Sequence, residues 1–302
     1  MMSSTQESDP ESESARHHPL VVFGEVLFDC FESGERRLGG AAFNVAWGLT
    51  AFGERPLFVS AVGQDEDGDA ILDRMQEWGM LEDGLQELPG QATGKVKILD
   101  QDGEPDYQIC SPRAWDFIEN EGFVAGQMLY HGSLALRSEV NQRTLSAMVE
   151  QSSAKRFYDV NLRPPHTPVT LVRSWLRGAD WVKLNLDELK AVSGESSISL
   201  ETAGPAIDHV IAQFAVHNVL LTAGSDGAWI RGEYGEARVA PAPEVDQLKD
   251  TVGAGDAFTA VTIHGILSGW ETSHIVEAAG SFAAKVCGLN GATTSDRSFY
   301  QI

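Results

Sequence analysis

The chain has 302 residues, 42% of them hydrophobic, and carries 22 basic against 44 acidic side chains, a formal charge of −22. A field of that sign repels polyphosphate backbones and anionic bilayers, so neither nucleic-acid binding nor membrane docking is expected, and the acid excess suits a salt-rich host as well as plain solubility. No run of about 18 apolar residues is available to span a bilayer, and three scattered cysteines, Cys30, Cys110 and Cys287, read as reduced thiols of a cytoplasmic protein rather than as disulfides or a zinc site.

Residues 1–18 are rich in Ser, Glu, Asp and Pro and nearly free of large apolar groups, so they read as a disordered acidic tail without the apolar core of a secretory signal. From residue 19 to 302 the pattern is one domain. Short apolar runs at 20–26, 57–62, 128–131, 156–160, 181–184 and 219–222 predict buried strands. Between them, segments at 42–52, 69–78, 139–151, 186–192, 203–215, 257–267 and 274–286 have helical spacing. This alternation predicts an α/β fold, a three-layer core with a mostly parallel central sheet flanked by helices. Stretches at 28–37 and 95–110 break the rhythm and predict small antiparallel strands, the second turning at Gln101-Asp102-Gly103. They would form a minor sheet beside the main one, drawn from about 26–38 and 93–113.

Asp250-Thr-Val-Gly-Ala-Gly-Asp256 precedes a helical run. Gly253 and Gly255 allow a tight turn, and Gly255 is expected to need positive φ. The free amides of Ala254, Gly255 and Asp256 at the start of the helix then suit a phosphate. A carboxylate in an anion site makes sense as a base, so Asp256 suggests phosphoryl transfer; an acidic N-cap after a glycine turn is the competing reading. Neither a G-x-x-x-x-G-K-[ST] loop nor the H-R-D and D-F-G motifs of protein kinases occurs. Gly39-Gly40 opens another helix with Asn44 one turn in, which suits close approach of a polar small molecule or ordinary turn chemistry.

Together these segments, in this order and about 210 residues apart, resemble the PfkB carbohydrate kinase family with its ribokinase-like fold, and its fructokinase-like members in particular. The resemblance implies an ATP-dependent sugar kinase with Asp256 as base and the turn from Gly253 to Asp256 as anion hole. It implies sugar contacts from Asp29, Gly39, Gly40 and Asn44, from Arg163 in Asp159-Val-Asn-Leu-Arg163, and from Arg113 in the lid segment. Asp29 read alone is more readily a turn residue on a surface hairpin, and Trp115 contacts the sugar or merely packs. For the nucleotide, the resemblance implies Asn185, Thr222, Gly224 and Gly227, with Lys183 as a further candidate that reads otherwise as a strand-end surface lysine. Glu188 of Asn185-Leu-Asp-Glu188 would help place Mg2+ through water. Potassium is a further candidate, at Asp250, Val252, Val286, Leu289, Gly291 and Ser295, held mostly by backbone oxygens. Fructose is the first expected substrate, with 2-keto-3-deoxygluconate, ribose and nucleosides after it. A homodimer through the lid is expected, and a catalytically silent sugar-binding protein is the alternative outside enzymes.

Overall fold

Runs that bury both faces of a strand build the main sheet. The computed structural model describes residues 16–101, 104–239, 241, 244–245 and 248–302. In chain order it has β1 (Arg16–Phe23), β2 (Leu27–Phe31), β3 (Arg36–Gly39), α1 (Ala41–Ala51), β4 (Leu57–Gly63), α2 (Glu66–Trp78), β5 (Leu85–Leu88), β6 (Gly94–Gln101), β7 (Glu104–Ile109), β8 (Phe123–Gly132), α3 (Glu139–Gln151), β9 (Lys155–Asp159), α4 (Val169–Leu176), β10 (Trp181–Asn185), α5 (Leu186–Ser193), α6 (Gly204–Phe214), β11 (Asn218–Thr222), β12 (Ala228–Gly232), β13 (Gly235–Val239), α7 (Ala254–Leu267) and α8 (Thr272–Val286).

Nine strands form one sheet in the order β13-β12-β11-β10-β9-β8-β1-β4-β5. From β11 to β5 every pairing is parallel, and β12 and β13 close one edge as an antiparallel hairpin. Alternate residues of each strand face opposite helix layers. Val22 and Leu220 pack with α1, α7 and α8, while Val21 packs beside α3 and Val219 beside α4, α5 and α6. The chain fills the sheet outward from β1 in one direction and from β8 in the other, so the order reverses between these two neighbours. The carboxyl ends of strands at such a reversal are where open α/β sheets leave a crevice.

A second sheet, β3-β2-β6-β7, stands beside the first. The expected antiparallel pairs are present, but β2 and β6 run parallel. Gln101 and Glu104 pair across the hairpin, whose turn at 102–103 lies outside the described residues. Arg16, His17 and His18, read as tail, instead open β1 and pair with Phe123, Val124 and Ala125 of β8. The Arg16 guanidinium lies 5.5 Å from the Phe123 ring centre, and the His18 ring meets it edge-on at 5.9 Å. Backbone pairing to an existing strand thus orders residues whose own composition buries little. Residues 1–15 lie outside the described residues.

Candidate active site

The N-terminus of α7 sits over the reversal point. Gly253 caps it at φ 81°, and a Cβ there would lie 2.3 Å from the Ala292 Cβ. Gly255 is different from expectation. It lies inside the first helical turn without positive φ, and its constraint is contact: an added Cβ would stand 3.3 Å from Lys183 Nζ. The amides of Gly255 and Asp256 have no acceptor within the helix, as in any first turn, and Ala254 N–H makes only a long bond of 3.3 Å to the Thr251 carbonyl.

Asp256 meets α1 here. Asn44 Nδ2 donates to Asp256 Oδ2 at 2.8 Å. One helical turn further along each partner, Gly48 faces Ala260, whose Cβ would be 3.0 Å from a Cβ on Gly48. Residues four apart share a helix face, so the glycine crossing below is what lets the amide and the carboxylate touch above. Burial pushes the Asp256 carboxyl up to about 6, against the Asn44 hydrogen bond that favours its charge. Asp29, on β2, completes the corner. Its Oδ2 lies 3.6 Å and Asn44 Oδ1 lies 3.9 Å from where a Gly39 Cβ would be, so glycine there keeps the space between them open. Burial raises Asp29 to about 6, with Arg37 opposing and Asp250 reinforcing the shift. Gly40 caps α1 at φ 108°, its Cβ position 2.7 Å from the Glu25 carbonyl.

Glu25 is a site residue that the motif reading passes over. It is 2% exposed, and its Oε1 accepts from Ala41 N–H at 2.9 Å, capping α1 from the end of β1. Its Oε2 has no partner among the described residues, and burial lifts the carboxyl to about 7, with Asp256 adding like-charge repulsion. The only sequence trace is an acid directly after an apolar strand.

Lys183 is no surface lysine. It is 7% exposed beneath Gly255, with Nζ 2.9 and 3.0 Å from the two Asp159 oxygens, and Thr259 Oγ1 donates to Asp159 Oδ2 at 2.9 Å. Burial pulls its pKa down, but Asp159, Glu188 and Asp256 outweigh that and hold the ammonium charged. It stands below the turn rather than in the open cleft, a fixed positive charge that parallel strands β9 and β10 bring beside α7. Arg163, in contrast, is exposed in the loop after β9, and its charge acts on both Asp256 and Glu25.

Asn185 and Glu188 form a capping box on α5. Glu188 N–H donates to Asn185 Oδ1 at 2.9 Å, Asn185 N–H donates to Glu188 Oε2 at 2.8 Å, and Leu162 N–H donates to Glu188 Oε1 at 2.8 Å. Both carboxylate oxygens therefore pin backbone, joining the loop before Arg163 to α5. That leaves water-mediated contact as the form in which this carboxylate suits Mg2+. No cluster of three or more His, Cys, Asp or Glu side chains that could hold a metal ion occurs among the described residues. Thr222 pairs in register with Asn185, which brings the turn after β11 level with α5. Gly224 and Gly227 shape that turn at φ 56° and 115°, between antiparallel β11 and β12.

The loop from Asp250 to Val252 packs on the segment after α8. Asp250 Oδ1 accepts from Val252 N–H at 3.0 Å and Oδ2 from Gly291 N–H at 3.3 Å, and Arg37 of β3 places NH1 3.4 Å from the same Oδ2. The Val286 carbonyl accepts from Leu289 N–H at 2.9 Å, and Ser295 is exposed. Asp250, Val252 and Gly291 are thus brought together. Arg113 is not joined to the acceptor corner by any contact among the described residues, and its Nε is buried without a partner there. Trp115 packs, fully buried under Arg137, whose guanidinium is 4.0 Å from its ring centre. Tyr107 of β7, 51% exposed, is close enough for Asp29, Asp250 and Arg163 to act on its hydroxyl, so the small sheet does overhang the corner.

A glycine-capped helix end, a hydrogen-bonded carboxylate in its first turn and a second carboxylate on an overhanging sheet agree with what the family model finds. Residues 21–298 match the model of the pfkB family carbohydrate kinases. The chain belongs to this family. A fructokinase of Klebsiella pneumoniae is 30% identical over 295 residues, 91% of this chain and 93% of that one. A 2-dehydro-3-deoxygluconokinase of Bacillus subtilis is 28% identical over 291 residues, 87% and 88% of the two chains. The structure described as a Vibrio cholerae O395 fructokinase double mutant with fructose, ADP and potassium ion bound superposes at TM-score 0.73 and 21% identity, covering 96% of this chain and 99% of that one. The pfkB carbohydrate kinase described here has no helix among the described residues long and apolar enough to cross a membrane.

Proposed function

We propose that this sugar kinase is a fructokinase, moving the γ-phosphoryl group of ATP to a hydroxyl of fructose. The Asn44–Asp256 hydrogen bond, with Asp29 across the Gly39 gap, is the observation that carries the reading. A sugar laid in that gap offers hydroxyls to two carboxylates, and Asp256 takes the proton of the one that attacks. The amides of Gly255 and Asp256, with Ala254 beside them and Lys183 below, receive the charge of the transferring group. Lys183 acts there through the turn, in place of the direct nucleotide contact first expected. ATP reaches the site from the turn after β11, with Thr222, Gly224, Gly227 and Asn185 along its path. Glu188 would hold Mg2+ through water, and the ion would neutralise phosphate charge there. Arg163 faces the phosphates at the mouth, and the small sheet closes over the sugar and keeps water out. The outer strands β3 and β7 leave backbone edges through which two copies pair.

Three acidic groups around the acceptor corner, Glu25, Asp29 and Asp256, favour a neutral sugar. The second reading is a 2-keto-3-deoxy sugar acid, favoured by the exposed Arg163 guanidinium and by the 28% identical Bacillus relative. A coupled ADP-release assay over fructose, 2-keto-3-deoxygluconate, ribose, inosine and adenosine decides between them. Fructose is expected to give the highest kcat/KM; a higher value for the sugar acid replaces the reading, and no sugar-dependent ADP release leaves a binding protein. Light scattering of the purified protein tests the pairing of two copies.

A further inference from the structure

The family resemblance puts a potassium ion between the Asp250 loop and the segment after α8, held mostly by backbone oxygens, but at Asp250, the one carboxylate of that set, a cationic side chain already stands. Both Asp250 oxygens already accept backbone N–H bonds, from Val252 and Gly291. A guanidinium, that of Arg37, already stands 3.4 Å from Oδ2. Arg37 is itself held on three sides. Its Nε donates to Glu35 Oε1 at 2.7 Å, its guanidinium lies 4.6 Å from the Phe31 ring centre, and its Cδ would be 3.3 Å from a Cβ on Gly291. A second cation at Asp250 would meet like charge at short range in a partly buried setting.

We propose that Arg37 is the resident cation of this loop: its guanidinium does the work of a monovalent ion at Asp250, so the anion hole assembles without potassium. The consequence reaches the chemistry because Gly253 rests directly on Ala292. Whatever clamps Gly291 to Asp250 also sets the turn that leads into Ala254, Gly255 and Asp256. Arg37 comes from β3, so the small sheet brings the charge with it, and the seated lid and the formed anion hole become one event. Arg37 is a positioning residue in this scheme, since it touches neither sugar nor phosphate.

The test compares the whole protein in potassium, sodium and tetramethylammonium chloride at equal ionic strength, by thermal melting without substrates and by ADP release. The wild type is expected to give the same melting temperature and rate in all three. Arg37→Gln is expected to melt lower and lose about 10–100-fold in rate, the scale of an ångström-sized misplacement, with potassium restoring part of both and tetramethylammonium neither. Arg37→Lys, which keeps the charge, is expected to lie between them. A wild type that gains stability or rate specifically from potassium overturns the proposal. So does an Arg37→Gln protein that melts and turns over like wild type in every salt. The rate effect rests on the anion-hole reading, whereas the melting effect does not, so a failed mechanism and a failed cation role give different results.

Discussion

Two glycine turns frame the proposed path of the phosphoryl group, and both hold a glycine at positive φ, Gly253 at 81° and Gly224 at 56°. Around Gly253 the space is full, with Ala292 where a side chain would be; around Gly224 nothing lies within 4 Å. The first turn is defined by its neighbours and the second by its own backbone. That contrast extends to the regions they serve. The acceptor corner is built from packed side chains, Glu25 and Asn44 buried and Asp29 and Asp256 half-buried, while the turn after β11 offers exposed backbone. In the proposed function, discrimination between sugars therefore falls to the first region and nucleotide contact to the second.

The contrast can be broken from the packed side first. Asp256→Asn keeps the Asn44 neighbour but removes the base, and is expected to lose ~10²–10⁴-fold in kcat with sugar and ATP binding retained; isothermal titration beside steady-state rates checks both halves. With burial holding Asp256 near 6, the ionised base is lost as pH falls through that value, so wild-type kcat is expected to drop on the acid side of about 6. Gly253→Ala puts a methyl into Ala292 and an alanine at left-handed φ. About 10²–10³-fold in rate should go with the displaced anion-hole amides, and a lowered melting temperature should accompany it. A Gly253→Ala enzyme with ordinary kcat would show that the turn only caps a helix.

Asp29→Ala is a smaller change to the same region. Losing a hydrogen bond to a charged group costs about 1.5–3 kcal/mol, so the sugar KM should rise roughly 10–100-fold with the ATP KM unchanged; the opposite split moves Asp29 off the sugar. Glu25 tests the electrostatic strain of the corner. Its folded-state pKa of about 7 lies above the ordinary carboxyl value of 4.5, so the folded protein binds the extra proton and stability falls as pH rises between the two. At roughly 1.36 kcal/mol per unit the loss by pH 8 is about 2–4 kcal/mol. Glu25→Gln keeps an acceptor for Ala41 N–H and should flatten that slope in denaturant titrations at pH 5 and pH 8. The smallest effect belongs to the open turn: Gly224→Ala bears only the left-handed penalty of about 1 kcal/mol, so a change in ATP KM within about fivefold is expected, and a large one would mean that nucleotide presses on this glycine.

How much of this was legible in the sequence follows the same line. The seven buried helices and six strands announced themselves because apolar periodicity is local, and the two glycine-helix motifs because close approach restricts residue type. Strands β5, β12 and β13 were not anticipated: four or five residues with Gln, Glu and Arg in them pass for loop, and they hold only as outer members of the sheet. Helix α4 hides after Pro164, Pro165 and Pro168, which read as loop. Lys183 looked exposed because a strand's last residues usually are, and only the parallel neighbour β9 supplies the Asp159 that lets it stay buried. Positive φ was expected at Gly255 because two glycines flank one alanine and sequence does not say which of them carries the turn. Glu188 is legible as a helix cap from its three-residue spacing to Asn185, but its second bond, from Leu162 N–H, is a matter of tertiary backbone.

The contact between Asn44 and Asp256 joins residues 212 positions apart, near the two ends of the folded chain. During synthesis the acceptor corner, from β1 through α1, leaves the ribosome long before α7 exists. In the proposed mechanism, a nascent or truncated protein that stops short of residue 253 therefore has Asp29, Asn44 and Lys183 but neither the base nor the capped turn above that lysine. Activity cannot appear by degrees as the polypeptide lengthens. On that mechanism it arrives in one step with α7 and α8, so an unfinished copy has no means of spending ATP.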